Sequence, residues 1–237
     1  MKFPRATDLE GIAGREFQTD IVLLDIIKFS LLSNERQYQC LFYLNKIIRT
    51  VTNLLEVGSV LRGEKVIEGA IPTGDGSYFI LNSRIAGYGP LLALFLRNFL
   101  LLNNRLLNNL FSGVRTSVHH GSIIPIRFLG TKNFVGDGLN VCARLLGGSV
   151  QSKARRFYRN DSNYVVVSGG AWETFNALFP PGTPDVTAYL DKISFSHSRE
   201  FSIKDKHKGR PGYKIRFIDS AKLIGSAPPR PKERLVS

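Results

Sequence analysis

The stretch "IPTGDGSYFIL", residues 71–81, decides the fold. Gly74-Asp75-Gly76 is a good hairpin turn, and the flanking runs "KVIEGAIPT" and "SYFILN" read as its two strands. A turn needs no chemistry, so Asp75 alone is satisfied as a turn residue. Upstream, "DIVLLDI" (residues 20–26) is a continuous apolar run with Asp25 near its end, the pattern of a buried central strand. Between the two, apolar residues at Leu41, Leu44, Ile48, Val51 and Leu55 have helical spacing, predicting a long amphipathic helix over Leu31–Leu55 with Ser30 or Ser33 as cap. Downstream, a second helix is expected over Pro90–Leu110, and "GVRTSVHHGSIIPIRFLG" reads as another strand pair. A short helix follows over Gly138–Leu146. Then come a strand and helix in "NYVVVSGGAWETF" and a basic-tipped hairpin in "FSIKDKHKGRPGYKIRFID". The order β-α-β-β-α-β predicts an α+β fold: a ferredoxin-like split βαβ core with C-terminal αβ and hairpin additions. The expected organisation is a flexible arm over 1–18, one domain over 19–219 and a disordered basic tail over 220–237.

The chain has 237 residues and a formal net charge of +13, which points to an anionic partner: nucleotide, nucleic acid or acidic membrane surface. The two cysteines, Cys40 and Cys142, sit in apolar periodic segments without metal-ligand spacing and read as buried thiols. "MKFPRATDLEGIAG" lacks the apolar core of a signal peptide. The most apolar run, Leu91–Leu102, carries Arg97 and is too short to span a bilayer. A soluble, cytoplasmic protein with no membrane partner is expected.

In a split βαβ sheet the first strand and first hairpin are neighbours, so Asp25 and Asp75 reach the same sheet edge. Two adjacent carboxylates repel unless a cation separates them, and Mg²⁺ or Mn²⁺ prefers such oxygen ligands. Two metals held this way orient a hydroxyl and a triphosphate for in-line attack. Asp25, inside "VLLDII", is costly to bury without a partner. The following "IIKFS", with Phe29, leads to a helix N-terminus whose free N–H groups suit phosphate, although any strand-to-helix turn has that geometry. Asn140 and Arg144 stand at i and i+4 on one helix face, fit to hold a ribose and a phosphate. By spacing alone a surface polar pair is the preferred reading. His119 and His120 are adjacent on a strand, point to opposite faces and cannot share an ion. Lys204, Lys206, Lys208 and Arg210 form a basic loop, solvated by default, with contact to triphosphate or RNA as the functional option.

Together, "VLLDIIKFS", "IPTGDGSYFIL", "RTSVHHGSI" and "FVGDGLNVCARL" resemble the class III nucleotidyl cyclases, in the family's order over most of residues 20–217. The resemblance implies a homodimer with sites shared across its interface and no stable nucleic-acid partner. It implies that Asp25 and Asp75 hold two divalent ions, with the Ile26 backbone carbonyl as a further ligand. Asn140 and Arg144 match the family's ribose-orienting and transition-state-stabilising pair, donated by the other subunit. Lys204 or Lys206 matches its triphosphate lysine.

The base-reading positions depart from the family pattern. Adenine-specific members carry Lys where this chain has Ile71, and commonly Asp where it has Asn133; guanine-specific members commonly place Glu and Cys there. Ile71 cannot hydrogen-bond a base, and a site without such groups loses purine discrimination. A short basic chain with the catalytic residue types present resembles the pyrimidine cyclases of bacterial Pycsar antiphage defence. Their cyclic UMP or cyclic CMP activates a separate effector protein. Asn133 offers donor and acceptor to either base, and the commoner type in that group makes UTP the expected substrate, with CTP and then ATP as alternatives. The rival from another class is a nucleic-acid-binding ferredoxin-like module. It needs exposed aromatics on one sheet face, and adjacent Tyr78 and Phe79 cannot both provide them.

Overall fold

A computed structural model describes residues 14–57, 65–154, 157–158, 163–179, 195–203 and 212–220. The elements run β1 (Phe17–Ile26), α1 (Asn34–Val57), β2 (Ile67–Pro72), β3 (Gly76–Leu81), α2 (Gly89–Leu106), β4 (Val114–Phe128), β5 (Thr131–Val135) and α3 (Asp137–Arg144). They continue with α4 (Gly148–Ala154), β6 (Asn163–Ser168), α5 (Gly169–Leu178), β7 (Phe195–His197), β8 (Phe201–Ile203) and β9 (Tyr213–Ser220). The sheet order β2-β3-β1-β4-β6-β9-β7 contains the expected split βαβ core, with β1 and β4 central and antiparallel. The α+β fold read from the sequence is the fold observed.

Alternation along β1 divides the molecule into two layers. Val22, Leu24 and Ile26 face the main core with α1 and α2, joined there by Cys40, Leu44, Val51, Leu92 and Leu96. Ile21 and Leu23 face the other way, toward Ile80, Ile123, Phe134 and Cys142. Because β1 is buried on both faces, its sequence is a continuous apolar run instead of an alternating one. The helices follow from their spacing: α1 buries Cys40, Leu44, Ile47, Val51 and Leu55 at 3- and 4-residue intervals. Ser33 is at its N-terminus, where the hydroxyl accepts from the Arg36 N–H.

Three details differ from the sequence reading. The "GVRTSVHHGSIIPIRFLG" segment is one 15-residue strand, β4, whose hairpin partner is β5. β4 continues through Gly121 because the start of β1 pairs with it there (Thr19↔Gly121, Phe17↔Ile123), and β5 takes over from Ile124. Consequently β1 begins at Phe17, inside the segment expected as a flexible arm. The short elements α4 and β7 were not foreseen. The tip of the basic β8–β9 hairpin and the C-terminal tail lie outside the described residues.

Candidate active site

The β2–β3 turn brings Asp75 to the C-terminal end of β1. β3 pairs with β1 in the register Asp25↔Gly76, and the Ile26 N–H donates to the Asp75 carbonyl at 2.8 Å. Thr73 closes the turn from both sides: its N–H donates to the Gly76 carbonyl at 3.1 Å and its hydroxyl to the Asp75 carboxylate at 3.3 Å. Gly76 is required by contact, since a Cβ there would lie 1.9 Å from the Leu24 carbonyl oxygen. This close approach of backbones places the exposed Asp75 beside the mostly buried Asp25.

Across the sheet, Asp25 pairs in register with Arg115 of β4. Arg115 Nε donates to Asp25 Oδ2 at 2.7 Å, and the Arg115 Nη2 donates to the same oxygen. Burial pushes the Asp25 carboxyl above its ordinary value and Asp75 adds to the shift, while Arg115 opposes both. Sequence reasoning passed over Arg115 although it lies in the quoted "RTSVHHGSI". The available signal was its place two residues into a strand antiparallel to β1, opposite the carboxylate.

Asp25, Asp75 and the Ile26 backbone supply hard oxygen donors suited to Mg²⁺ or Mn²⁺. Among the described residues no group of three or more His, Cys, Asp or Glu side chains is placed to hold a metal. A two-carboxylate site of this kind fits an ion completed by substrate phosphates, not a cage built by the protein alone.

Asn140 and Arg144 stand elsewhere. α3 packs on the β1/β4 face through Gly138, Val141 and Cys142; the Ser117 hydroxyl donates to the Cys142 carbonyl at 2.8 Å. This burial turns Asn140 out to solvent on the helix face away from its own sheet. Arg144 Nη1 bonds the Tyr213 hydroxyl at 3.2 Å. Tyr213 begins β9, two residues before Ile215, which pairs with Ser168; Ser168 in turn lies beside His119. Tyr213 is therefore level with Gly121 on β4, whereas Asp25 is level with Arg115. Six strand residues separate the two levels, roughly 20 Å at about 3.3 Å per residue. Within one chain, the structure joins Asp25 to Asp75 and Arg115, and it bonds Arg144 to Tyr213 instead.

The remaining candidates are placed as follows. Ile71, on β2, packs against the apolar cluster beneath α3, with Tyr78 and Leu139 nearby. Asn133, on β5, accepts a bond from the Phe134 N–H at 2.8 Å through its amide oxygen. β5 itself lies against β2, where the Phe134 ring covers Gly69 and Lys132 pairs with Glu68. The Phe29 side chain is buried in the main core, leaving only its backbone for any phosphate contact. Lys204 and Lys206 lie outside the described residues. The two histidines do face opposite ways: His120 Nδ1 meets Asp20 at 2.9 Å on one face and His119 Nδ1 meets the Ser168 hydroxyl at 3.0 Å on the other.

Asp20 is the second carboxylate of β1 and is fully buried. It accepts N–H bonds from Gly87 and Gly89 at 2.7 and 2.8 Å, tying the β3–α2 connection to the strand. Its odd separation from Asp25 places it on the opposite face. One strand thus carries a structural carboxylate and a candidate site carboxylate.

No family model and no curated protein matches this sequence. Solved structures do match its fold. The catalytic core of a rhodopsin-guanylyl cyclase with converted specificity, in complex with ATPαS, superposes with TM-score 0.56 at 10% identity, covering 87% of this chain and 97% of that one. The adenylyl cyclase CyaB from P. aeruginosa gives TM-score 0.56 at 12% identity, covering 89% of this chain and 100% of that one. A bacterial light-regulated adenylyl cyclase gives 0.53 at 13% identity, covering 85% and 90%. The chain has the fold of a class III cyclase catalytic domain. No helix among the described residues is long and apolar enough to cross a membrane.

Proposed function

We propose that the protein is a nucleotidyl cyclase that converts UTP to cyclic UMP and pyrophosphate, working as a homodimer with Mg²⁺ or Mn²⁺. The observation that carries this is the split site on a cyclase fold. Asp25, Asp75 and Arg115 converge at one end of β1, while Asn140 is exposed on α3 and Arg144 is bonded to Tyr213 of β9, three strands away from β1. A second copy of the chain supplies what one copy cannot bring together.

Asp25 and Asp75 hold the metal, with the Ile26 carbonyl beside them. A metal held there would acidify the ribose 3′-hydroxyl and neutralise charge on the phosphates. Arg115 offers a guanidinium to phosphate oxygens at the same edge. The partner's copy of α3 brings a second guanidinium, through the residue equivalent to Arg144, to the phosphoryl undergoing in-line displacement. The equivalent of Asn140 steadies the ribose. Lys204 and Lys206 are assigned to the triphosphate.

Ile71 supports a pyrimidine over a purine. It sits among apolar side chains and offers a base no hydrogen bond. Asn133 has its amide oxygen engaged by the Phe134 N–H, which leaves the amide N–H₂ to donate to a ring carbonyl. Uracil presents two such carbonyls and cytosine one, which favours UTP, with CTP second and ATP third. In this reading the product is a second messenger for antiphage defence, received by a separate effector protein.

The test is incubation of the purified protein with Mn²⁺ and, separately, ATP, GTP, CTP and UTP, with products resolved by mass. Cyclic UMP as the main product is expected. Cyclic CMP as the main product would leave the pyrimidine reading standing and change the base. Cyclic AMP would defeat it.

A further inference from the structure

Arg115 occupies the carboxylate that a metal would use. Its Nε and Nη2 groups both donate to Oδ2 of Asp25. The two side chains are 23% and 15% exposed, so the guanidinium holds a partly buried charge-assisted pair instead of a solvated contact. Asp75 lies beside this pair, and Arg115 is the cation within bonding distance of Asp25. A divalent ion on Oδ2 would face the guanidinium at short range, and like charges at that distance repel. The guanidinium leaves Asp25 readily only for better acceptors. A triphosphate supplies them, with several anionic oxygens in the planar spacing that arginine prefers.

We propose that Arg115 couples metal binding to triphosphate binding: it neutralises Asp25 in the empty site and passes to the substrate's phosphates as the metal takes its place. The proposal rests on the reading of Asp25 and Asp75 as the metal-holding pair. It makes the protein resist metal alone and accept metal and triphosphate together. By thermodynamic reciprocity, each then raises the affinity for the other by the same factor.

The test measures Mn²⁺ binding to the full chain without nucleotide, by calorimetry or by the loss of free-Mn²⁺ electron-spin signal. Arg115→Gln removes the competing charge. It is expected to bind Mn²⁺ alone about 10-fold tighter than wild type, inside the usual 5- to 150-fold range of coupling between sites. Its affinity for inorganic tripolyphosphate should fall. Equal or weaker Mn²⁺ binding by Arg115→Gln would overturn the proposal. Should Arg115→Gln fail to fold, Arg115→Lys keeps the charge and loses the two-bond grip, and a smaller tightening in the same direction is expected; no tightening overturns the proposal. Asp25→Asn separates the two failures. It should abolish Mn²⁺ binding in both backgrounds, and undiminished binding would show that the metal site lies elsewhere.

Discussion

At the scale of single residues, what matters is which face of a strand a polar group points to. Asp20 and Asp25 share a strand and an acidic side chain. One accepts two backbone N–H groups in the core, and the other waits beside Arg115 and Asp75. His119 and His120 divide in the same way. Burial draws the His119 ring down to about 4 and His120 adds to this, with Asp137 and Asp20 pulling weakly upward. A histidine whose folded value lies below its unfolded value is protonated first in the unfolded chain. Its contribution is therefore intact above the unfolded value near 6.5 and is lost progressively as pH falls toward 4. The full loss is on the order of 3 kcal/mol. His119→Asn keeps a polar partner for Ser168 and removes the titration. Urea unfolding at pH 7 and pH 4.5 should show wild type losing more stability than the variant between the two. Parallel losses would show that the His119 ring titrates alike in the folded and the unfolded chain.

At the scale of elements, the β2–β3 hairpin converts a turn into a site. Its sequence made the turn legible: Gly-Asp-Gly between apolar runs gives both the strands and the place of Asp75. The sequence did not show how closely the turn is pressed on its neighbour. Gly74 has φ +90° and open space around it, whereas Gly76 meets the Leu24 carbonyl. The two glycines are therefore expected to respond differently. Gly74→Ala pays only for a left-handed backbone, about 1–2 kcal/mol. Gly76→Ala must push β3 off β1 and is expected to cost more than about 4 kcal/mol, in the range of named severe mechanisms. Chemical denaturation of both variants checks this, and equal losses would refute the contact argument. β4 was the least legible element because its length depends on partners far away in sequence. Gly121 reads locally as a break and Pro125 as a strand ender. β1 pairs with the first and β5 with the second, on a stretch where β4 has no other strand beside it among the described residues. Arg115 was missed for a related reason: its meaning comes from the β1–β4 register, which a single segment does not display.

At the scale of the whole molecule, one sheet carries the two residue groups of the proposed site at different places. Asp25 and Asp75 sit near the start of β4, and Arg144 is held by Tyr213 level with Gly121. α3 cannot slide to close this gap, because Cys142, Ser117 and Ile21 bind it to the sheet on its buried side. In the proposed homodimer, a two-fold axis brings one chain's α3 to the other's carboxylates and creates two equal sites. Asp75→Ala and Arg144→Ala chains should each be nearly inactive alone, each homodimer lacking one half of both sites. Mixed and exchanged in equal amounts, half the dimers are mixed, and each of these holds one intact and one doubly damaged site. Turnover should recover to about a quarter of the wild-type rate. Size-exclusion chromatography with differently tagged chains establishes that mixed dimers have formed before activity is read. Inactive mixed dimers would mean that Asp75 and Arg144 never serve the same site, and the outward face of α3 would need another explanation.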